Sequence, residues 1–387
     1  MLALFVDPDR CKGCGECVDA CGIHEAITMK PKSDLDLTQF DRGMELYRTL
    51  ADTPDRFLTG RSLGDILLSS RAQLAAGGTS SCSGCGQSTA VRLVLASTGF
   101  QYGADHVGVI AASGCDSVYG AVFPYNPYKV PWTNTLSGNA PADALGIRRG
   151  WDRDGNQNRK LWVLGSMENF GGTGLSALTA LLGSGEDINV LVLDSQVFAC
   201  ESRRIHGVAF SSQGNGGAGA REELSLRPTT DLAQVAMAFP NVYVAQTTAS
   251  HLNHFHRAIR AANEFPGPAV VICYATCMAE DGVSEEKAMA QAKMAVESRT
   301  FPLLTFDPRE GEFLRERLSL SGNPAPRQDW YAPGRDAAPL TFLEFAATEE
   351  RFAPYFGAGQ SAGAALLAAN ENRLQNWRRL QELAGLR

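Results

Sequence analysis

Between residues 79 and 310, short uninterrupted apolar runs alternate with longer segments in which apolar residues recur at helical spacing. Strands that are buried on both faces read as continuous apolar runs, so this pattern predicts an α/β domain with a parallel sheet covered by helices on both faces. The predicted strands are His106–Ala112, Leu161–Gly165, Ile188–Asp194, Val242–Gln246 and Pro268–Tyr274. The predicted helices are Ser88–Ala96, Leu175–Leu182, Asp231–Ala238, Leu252–Asn263 and Glu285–Ser298.

The sequence on either side of this domain has a different character. Residues 1–30 carry closely spaced cysteines and predict a small ferredoxin-like module. Residues 31–78 mix charged residues with Pro54 and predict a linker with one short helix over Leu63–Leu74. Residues 311–387 begin with several prolines and end in a helix-like segment, Ala364–Ala384, and we interpret them as a C-terminal extension that contacts the domain or a partner.

Composition narrows the class of protein. Hydrophobic residues make up 44% of the 387 residues and charged residues 20%, which is ordinary globular usage. The net charge of −7 argues against nucleic acid as a partner. No apolar run is long enough for a membrane span, and Met1–Val6 is too short for a signal peptide, so we expect a cytoplasmic protein. In a reducing cytoplasm, ten cysteines indicate metal or cluster ligation instead of disulfides.

The first cysteine group has the C-x2-C-x2-C-x3-C spacing of bacterial ferredoxins, which wraps a [4Fe–4S] cluster in a short loop. We call its members the outer quartet: Cys11, Cys14, Cys17 and Cys21. Zinc is the alternative metal, and the spacing favours an iron–sulfur cluster. The proline that usually follows the fourth cysteine is Gly22 here. Either Cys21 completes the ligand set or a partner supplies a ligand, and the sequence leaves both open.

A second cysteine group is spread along the α/β domain. Two of its members form a CxxC pair ahead of a predicted helix, and two follow predicted strands. Because the carboxyl ends of parallel strands line one crevice, we expect these residues to meet there and to hold a second [4Fe–4S] cluster. We call them the inner quartet: Cys82, Cys85, Cys115 and Cys277. The alternatives are that the two single cysteines are buried small hydrophobes, and that the CxxC pair is a zinc or redox motif.

Several stretches in this domain resemble, in order, the C-terminal part of pyruvate:ferredoxin oxidoreductase and of its 2-oxoacid:ferredoxin oxidoreductase relatives. They are Cys82–Gly86, Ala112–Gly120, Pro131–Thr135, Ser184–Asp194, Asn241–Gln246 and Pro266–Cys277, with a weaker match at Phe301–Arg309. The resemblance implies that the inner quartet holds a cluster next to thiamine diphosphate and magnesium, and that the ferredoxin-like module passes electrons outward.

The resemblance also implies that this chain is an iron–sulfur β-type subunit of an oxidoreductase complex. In the family, the thiazolium of thiamine diphosphate attacks a 2-oxoacid, and single electrons leave through the cluster. The half of the site that binds the aminopyrimidine lies on another domain or subunit. We therefore expect α/γ-type subunits and ferredoxin or another redox subunit as partners, and no activity from the chain alone.

The loop after the predicted strand Leu161–Gly165, which in the family binds magnesium and the diphosphate, departs from the family's pattern. The family has an aspartate at its centre, and the aligned residue here is Met167, whose thioether is a poor magnesium ligand. Three residues remain as a substitute site for thiamine diphosphate and magnesium: Glu168, Ser195 and Val197. The family's asparagine near the diphosphate is Cys200, and Arg203 and Arg204, which follow it, are a candidate phosphate grip or a surface charge pair.

These departures divide the function into two hypotheses. In the first, the chain passes electrons from a thiamine-type site through two [4Fe–4S] clusters. In the second, it keeps the fold and the clusters but has lost thiamine diphosphate, and serves as an electron-transfer subunit of another redox complex. Two other features predict structure and not chemistry: the His251-x-x-His254-x-His256 run lacks a full metal-ligand set, and Cys273 lies within a predicted strand.

Overall fold

A mixed β-sheet forms the centre of the fold in the computed structural model. In chain order its strands are β1 (Val107–Ala111), β2 (Trp132–Asn134), β3 (Lys160–Ser166), β4 (Asn189–Asp194), β5 (Tyr243–Thr248), β6 (Ala269–Tyr274), β7 (Leu304–Phe306) and β8 (Leu318–Ser319). Their order across the sheet is β2-β1-β3-β4-β6-β5-β7-β8. Strands β1 to β6 are parallel, whereas β7 pairs antiparallel with both β5 and β8.

The structure describes residues 6–7, 11–34, 37–60, 62–75, 81–120, 126–196, 231–357 and 361–387. Within these ranges the first seven α-helices are α1 (Glu16–Cys21), α2 (Leu37–Thr49), α3 (Leu63–Leu67), α4 (Gly86–Tyr102), α5 (Cys115–Gly120), α6 (Ala140–Arg153) and α7 (Leu175–Leu182). After residue 230 follow α8 (Leu232–Met237), α9 (Leu252–Glu264), α10 (Met278–Asp281), α11 (Ala288–Glu297), α12 (Leu314–Arg317), α13 (Phe342–Ala346) and α14 (Ala364–Leu383).

The central strands are buried on both faces, as their sequence predicts. Successive side chains point to opposite faces, so β3 sends Leu161 and Val163 into one hydrophobic core and Trp162 and Leu164 into the other. Helices α4 and α9 cover the second face, and the first is covered by α6, α7, α8, α11, α13 and α14. The predicted fold class, an α/β domain with helices on both faces of a largely parallel sheet, is confirmed.

The predicted linker and C-terminal extension both contain ordered elements. In residues 31–78 lie α2 and α3, and α3 begins with a capping box in which Ser62 and Asp65 bond reciprocally to backbone N–H groups. In residues 311–387, β8 extends the sheet, and Trp377 of α14 is fully buried in the core of the first face. The C-terminal residues are therefore packed on the α/β domain.

None of the helices in the described part of the chain is both long and apolar enough to cross a membrane.

Candidate iron–sulfur and thiamine-type site

Two glycines bring the Cys82–Cys85 turn against the segment that carries Cys277. The N–H of Gly86 donates to the carbonyl of Thr276 at 3.1 Å, and a Cβ on Gly86 would lie 2.6 Å from the Thr276 nitrogen. Gly84 has a φ of +68°, and a Cβ there would lie 2.5 Å from the Glu285 carbonyl. Any larger residue at either position would push the two segments apart, so these glycines allow the CxxC turn to reach Cys277.

The electrostatics of Cys85 indicate that the inner quartet converges. Its Sγ lies 3.5 Å from the N–H of Ser88 at the start of α4. Burial raises the pKa of the Cys85 thiol to about 11, and the N–H of Ser88 acts in the opposite direction. Three more thiols raise this pKa further because they lie close by: Cys115, Cys277 and Cys82.

The remaining two members of the inner quartet stand at the carboxyl ends of β1 and β6. Cys115 begins α5, and burial raises the pKa of the next residue, Asp116, to about 7. Cys277 precedes α10, and its backbone N–H donates to Oδ2 of Asp281 at 2.8 Å. Among the described residues, no three His, Cys, Asp or Glu side chains are grouped closely enough to hold a single metal ion. An iron–sulfur cluster is larger than one ion, and its four thiolates bind at separate irons.

The outer quartet lies in a loop and a short helix. Gly13 and Gly15 both have positive φ, +71° and +82°, which lets the backbone curl before α1 begins. Cys17 and Cys21 lie four residues apart on α1, so they share one face of the helix. The N–H of Ala26 donates to the Cys21 sulfur at 3.2 Å. All four sulfurs belong to exposed or half-buried residues, and α1 has no fully buried residue.

Lys12 connects the two quartets. Its ammonium donates to the carbonyl and the hydroxyl of Ser81, and its own carbonyl accepts from Ser83 Oγ at 3.0 Å. Partial desolvation lowers the pKa of Lys12, and nearby thiols oppose this effect, namely Cys85, Cys82 and Cys14. Cys82 and Cys85 belong to the inner quartet, and Cys14 belongs to the outer quartet. The outer loop is therefore held directly against the CxxC turn of the inner quartet.

A second contact joins α1 to the segment ahead of α11. Lys287 Nζ lies 2.6 Å from Asp19 Oδ1, and Gly15 lies against the Glu286 side chain. Residues 285–287 form the 3₁₀ turn that contacts Gly84 and leads into α11. The N-terminal module thus contacts two segments that lie next to members of the inner quartet.

The loop after β3 presents a thioether where the resemblance expects a carboxylate. Met167 is half-buried and packs on the core, with its Sδ 3.3 Å from where a Cβ on Gly171 would be. Met167 lines a cavity of about 240 Å³, together with Asp194, Gln196 and Arg373. Glu168 is not among the residues that line this cavity.

The loop after β4 is tied to the C-terminal part of the chain. Burial raises the pKa of Asp194 to about 6, against the opposing effects of the Gln196 N–H, at 2.7 Å, and of two guanidinium groups. These belong to Arg351 and Arg373. The Arg351 guanidinium donates to the carbonyls of Ser195 and Gln196, at 3.2 and 3.1 Å. Val197, Cys200, Arg203 and Arg204 lie outside the described residues.

Sequence reasoning missed Lys12, Asp281, Arg351 and Arg373. Lys12 stands at a variable position of the ferredoxin spacing, and the other three belong to no motif. Lys12, Arg351 and Arg373 bond to partners that are distant in the chain, and Asp281 is tied to Arg351, 70 residues away. Cys273 is fully buried in β6, as its position in a predicted strand indicates, and burial raises its pKa to about 12. The histidines of α9 and its N-terminal cap each contact a hydroxyl group, on Ser250, Thr247 and Ser97.

Comparison with known proteins places the chain in a family. A sequence profile described as a 4Fe-4S binding domain matches residues 4–23. The pyruvate synthase subunit PorB of Pyrococcus furiosus is 30% identical over 261 residues, which are 64% of this chain and 76% of PorB. The chain belongs to this PorB-like family of 2-oxoacid oxidoreductases. The predicted resemblance is therefore confirmed, and this protein is an iron–sulfur member of an oxidoreductase family.

Some relatives are much longer than this chain. The pyruvate-flavodoxin oxidoreductase of Rhodospirillum rubrum is 24% identical over 99% of this chain, and the chain spans 36% of that protein's length. A solved structure of 2-oxoglutarate:ferredoxin oxidoreductase from Magnetococcus marinus has 2-oxoglutarate, coenzyme A and succinyl-CoA bound. It matches this chain over 53% of this chain's length and 66% of the solved chain's length. Its sequence identity is 18% and its TM-score 0.40.

Proposed function

We propose that this chain is an electron-transfer subunit of a 2-oxoacid oxidoreductase-type complex and carries two [4Fe–4S] clusters. The inner quartet would hold one cluster and the outer quartet the other. When bound, such clusters accept and release single electrons. The observation that carries the proposal is the docking of the outer loop on the CxxC turn through Lys12, which brings the two quartets side by side.

The residues of both quartets fit such clusters. Each quartet offers four cysteines, which is the ligand number of a [4Fe–4S] cluster. Burial raises the pKa of the Cys85 thiol to about 11, and the neighbouring thiols raise it further. Bound iron would reverse this effect, since a metal cation deprotonates a coordinating thiol. N–H groups directed at the sulfurs of Cys21 and Cys85 would favour the thiolate form further.

The residues after β3 and β4 fit magnesium and thiamine diphosphate less well than the two quartets fit iron–sulfur clusters. Magnesium requires oxygen ligands in near-octahedral geometry, and Met167 brings a thioether to the cavity wall. The Ser195 and Gln196 carbonyls already accept hydrogen bonds from Arg351. These observations favour the second hypothesis, in which the electron-transfer role is kept and thiamine diphosphate is lost.

A partner surface at the crevice supports the subunit role. Val118 of α5 and Leu136, two residues after β2, are 56% and 80% exposed and stand at the sheet end that carries Cys115. Exposed apolar side chains of this kind are typical of interfaces. The relative from P. furiosus is named as a subunit. We therefore propose that other subunits of an oxidoreductase complex cover this end of the sheet.

Iron determination on the anaerobically purified full chain tests the proposal. We expect about eight iron atoms per chain, the total for two [4Fe–4S] clusters, and about four after Cys115→Ser. Cys273→Ser is the matched control, because Cys273 is a buried cysteine outside both quartets, and it should keep about eight. About four irons in the unaltered chain would contradict the two-cluster assignment.

A further inference from the structure

Arg351 is the most heavily engaged charged residue in the C-terminal part of the chain. Its side chain is 9% exposed and lies 2.5 Å from Glu349 and 3.3 Å from Asp281. It also donates to the carbonyls of Ser195 and Gln196 in the loop after β4. One guanidinium therefore joins the C-terminal segment, the loop after β4 and helix α10. Its planar fork of donors suits such a junction, and the single ammonium of lysine does not.

Through Asp281, this junction reaches the inner quartet. Oδ1 of Asp281 faces Arg351, and Oδ2 accepts the backbone N–H of Cys277. Asp281 is fully buried, and a buried carboxylate requires a compensating cation nearby. The same guanidinium also faces Glu349, which accepts from Gln291 at 2.8 Å, so one cation serves two buried carboxylates. Burial raises the pKa of Asp281 well above its usual range, and Arg351 opposes this effect. Arg351 thus fixes Asp281 as a hydrogen-bond acceptor next to the Cys277 backbone.

The same guanidinium stands at the loop where the family resemblance expects a divalent cation. Two carbonyls of the Ser195–Gln196 loop already accept hydrogen bonds from this guanidinium and are therefore less available to a magnesium ion. Arg373 holds the same loop, with its Nη2 3.4 Å from the Gln196 side-chain oxygen. Met167, on the cavity wall, offers a thioether instead of the oxygen that magnesium requires.

We propose that Arg351 is a positioning residue that takes the place of the divalent cation at this loop and fixes Asp281 under Cys277, so that the chain holds its inner cluster without binding thiamine diphosphate. The positioning part of this inference rests on the proposed inner cluster. The thiamine part does not, because it concerns only the loop after β4. The two parts therefore have separate readouts.

Four variants of the full chain test the positioning role. Asp281→Asn keeps the shape and an acceptor for the Cys277 N–H but removes the charge, and Arg351→Gln removes the cation. Arg351→Lys keeps the cation. Arg378→Gln is the control, because Arg378 lies in the same C-terminal segment and pairs with Asp329 at the surface. The readouts are iron per chain and the reduction potential of each cluster, followed by electron paramagnetic resonance.

In Asp281→Asn we expect the potential of the inner cluster alone to shift, because the acceptor of the Cys277 N–H changes beside a cluster ligand. Arg351→Gln should lose the inner cluster and keep the outer one, and Arg351→Lys, which keeps the cation but not the fork of donors, should restore it only in part. Arg378→Gln should change neither. An unchanged inner potential in Asp281→Asn, or an equal shift of both potentials, would overturn the positioning role even if Arg351→Gln fails to fold.

Mass spectrometry tests the replacement of the divalent cation. The unaltered protein is purified with its partner subunits, incubated with thiamine diphosphate and magnesium, desalted and then denatured. We expect no thiamine diphosphate to be retained after desalting. Retention at about one per chain would overturn the replacement of the cation. Iron near four per chain would instead contradict the proposed function. The thiamine diphosphate result would still test the replacement of the cation, because it does not depend on the number of clusters.

Discussion

The two cysteine quartets are built in opposite ways. The outer quartet lies within eleven consecutive residues on a loop and helix α1, whose residues are all at least partly exposed. The inner quartet is gathered from three distant parts of the chain, at the ends of β1 and β6 and ahead of α4. One quartet is thus a local motif, and the other exists only when the sheet is folded. This difference determines how each should respond to substitution.

The largest effect should come from removing an inner ligand. A cluster on the inner quartet would cross-link three segments of the folded sheet, so its loss removes binding energy that exists only in the native state. For Cys85→Ala we expect the midpoint of thermal unfolding to fall by about 10 °C under anaerobic conditions. Differential scanning calorimetry measures this. A fall no larger than that of Cys273→Ala would contradict the cross-linking role.

Removing an outer ligand should affect the sheet much less. Helix α1 buries no residue, so the α/β domain loses little packing when the outer cluster is absent. Cys14→Ser should lower the iron content by about half yet move the unfolding midpoint by only about 2 °C. If the midpoint falls as far as in Cys85→Ala, the two quartets form one cooperative unit and the contrast between them fails.

A smaller effect is expected at the contact between the quartets. Lys12→Met removes the hydrogen bonds to Ser81 while keeping most of the apolar stem. The contact is exposed, so we expect it to contribute about 1 kcal/mol. The reduced clusters should show a weaker magnetic interaction by electron paramagnetic resonance. Lys30→Met is the control, because Lys30 is an exposed lysine of the same module, and it should leave the spectrum unchanged.

A pH dependence of stability is also expected in the α/β domain. Burial lowers the pKa of His254 from 6.5 to about 4, and its Nδ1 lies 2.9 Å from Thr247 Oγ1. Because the folded pKa is below the unfolded one, its contribution to stability is complete above pH 6.5 and is lost as pH falls toward 4. His254→Gln should reduce the fall in unfolding midpoint between pH 7 and pH 5. An unchanged slope would show that His254 does not contribute to it.

Long apolar strands and the ferredoxin spacing could be predicted from sequence because their signals are local. The predicted strand Pro268–Tyr274 is β6 (Ala269–Tyr274), and the final helix was predicted to within one residue. Strand β2 was missed because Trp132–Asn134 is short, partly polar and exposed at the sheet edge. Strands β7 and β8 have only three and two residues, which is too short for an alternation of apolar and polar residues to be recognised.

The charged residues that tie the site together could not be predicted in the same way. Arg351 stands in a segment that the sequence predicts only as a C-terminal extension, and its partners Asp281 and Ser195 are 70 and 156 residues away. Only the fold makes it a buried cation. The same holds for Lys12, whose neighbours Ser81 and Ser83 are separated from it by 69 and 71 residues.

Electron paramagnetic resonance of the fully reduced, full-length chain is the most direct test that the two quartets hold adjacent clusters. We predict a spectrum broadened by spin–spin interaction, which resolves into a simple signal in both Cys14→Ser and Cys85→Ala because each variant keeps a single cluster. Two independent, unbroadened signals in the unaltered chain, whose sum matches the spectra of the two variants, would contradict a side-by-side electron path.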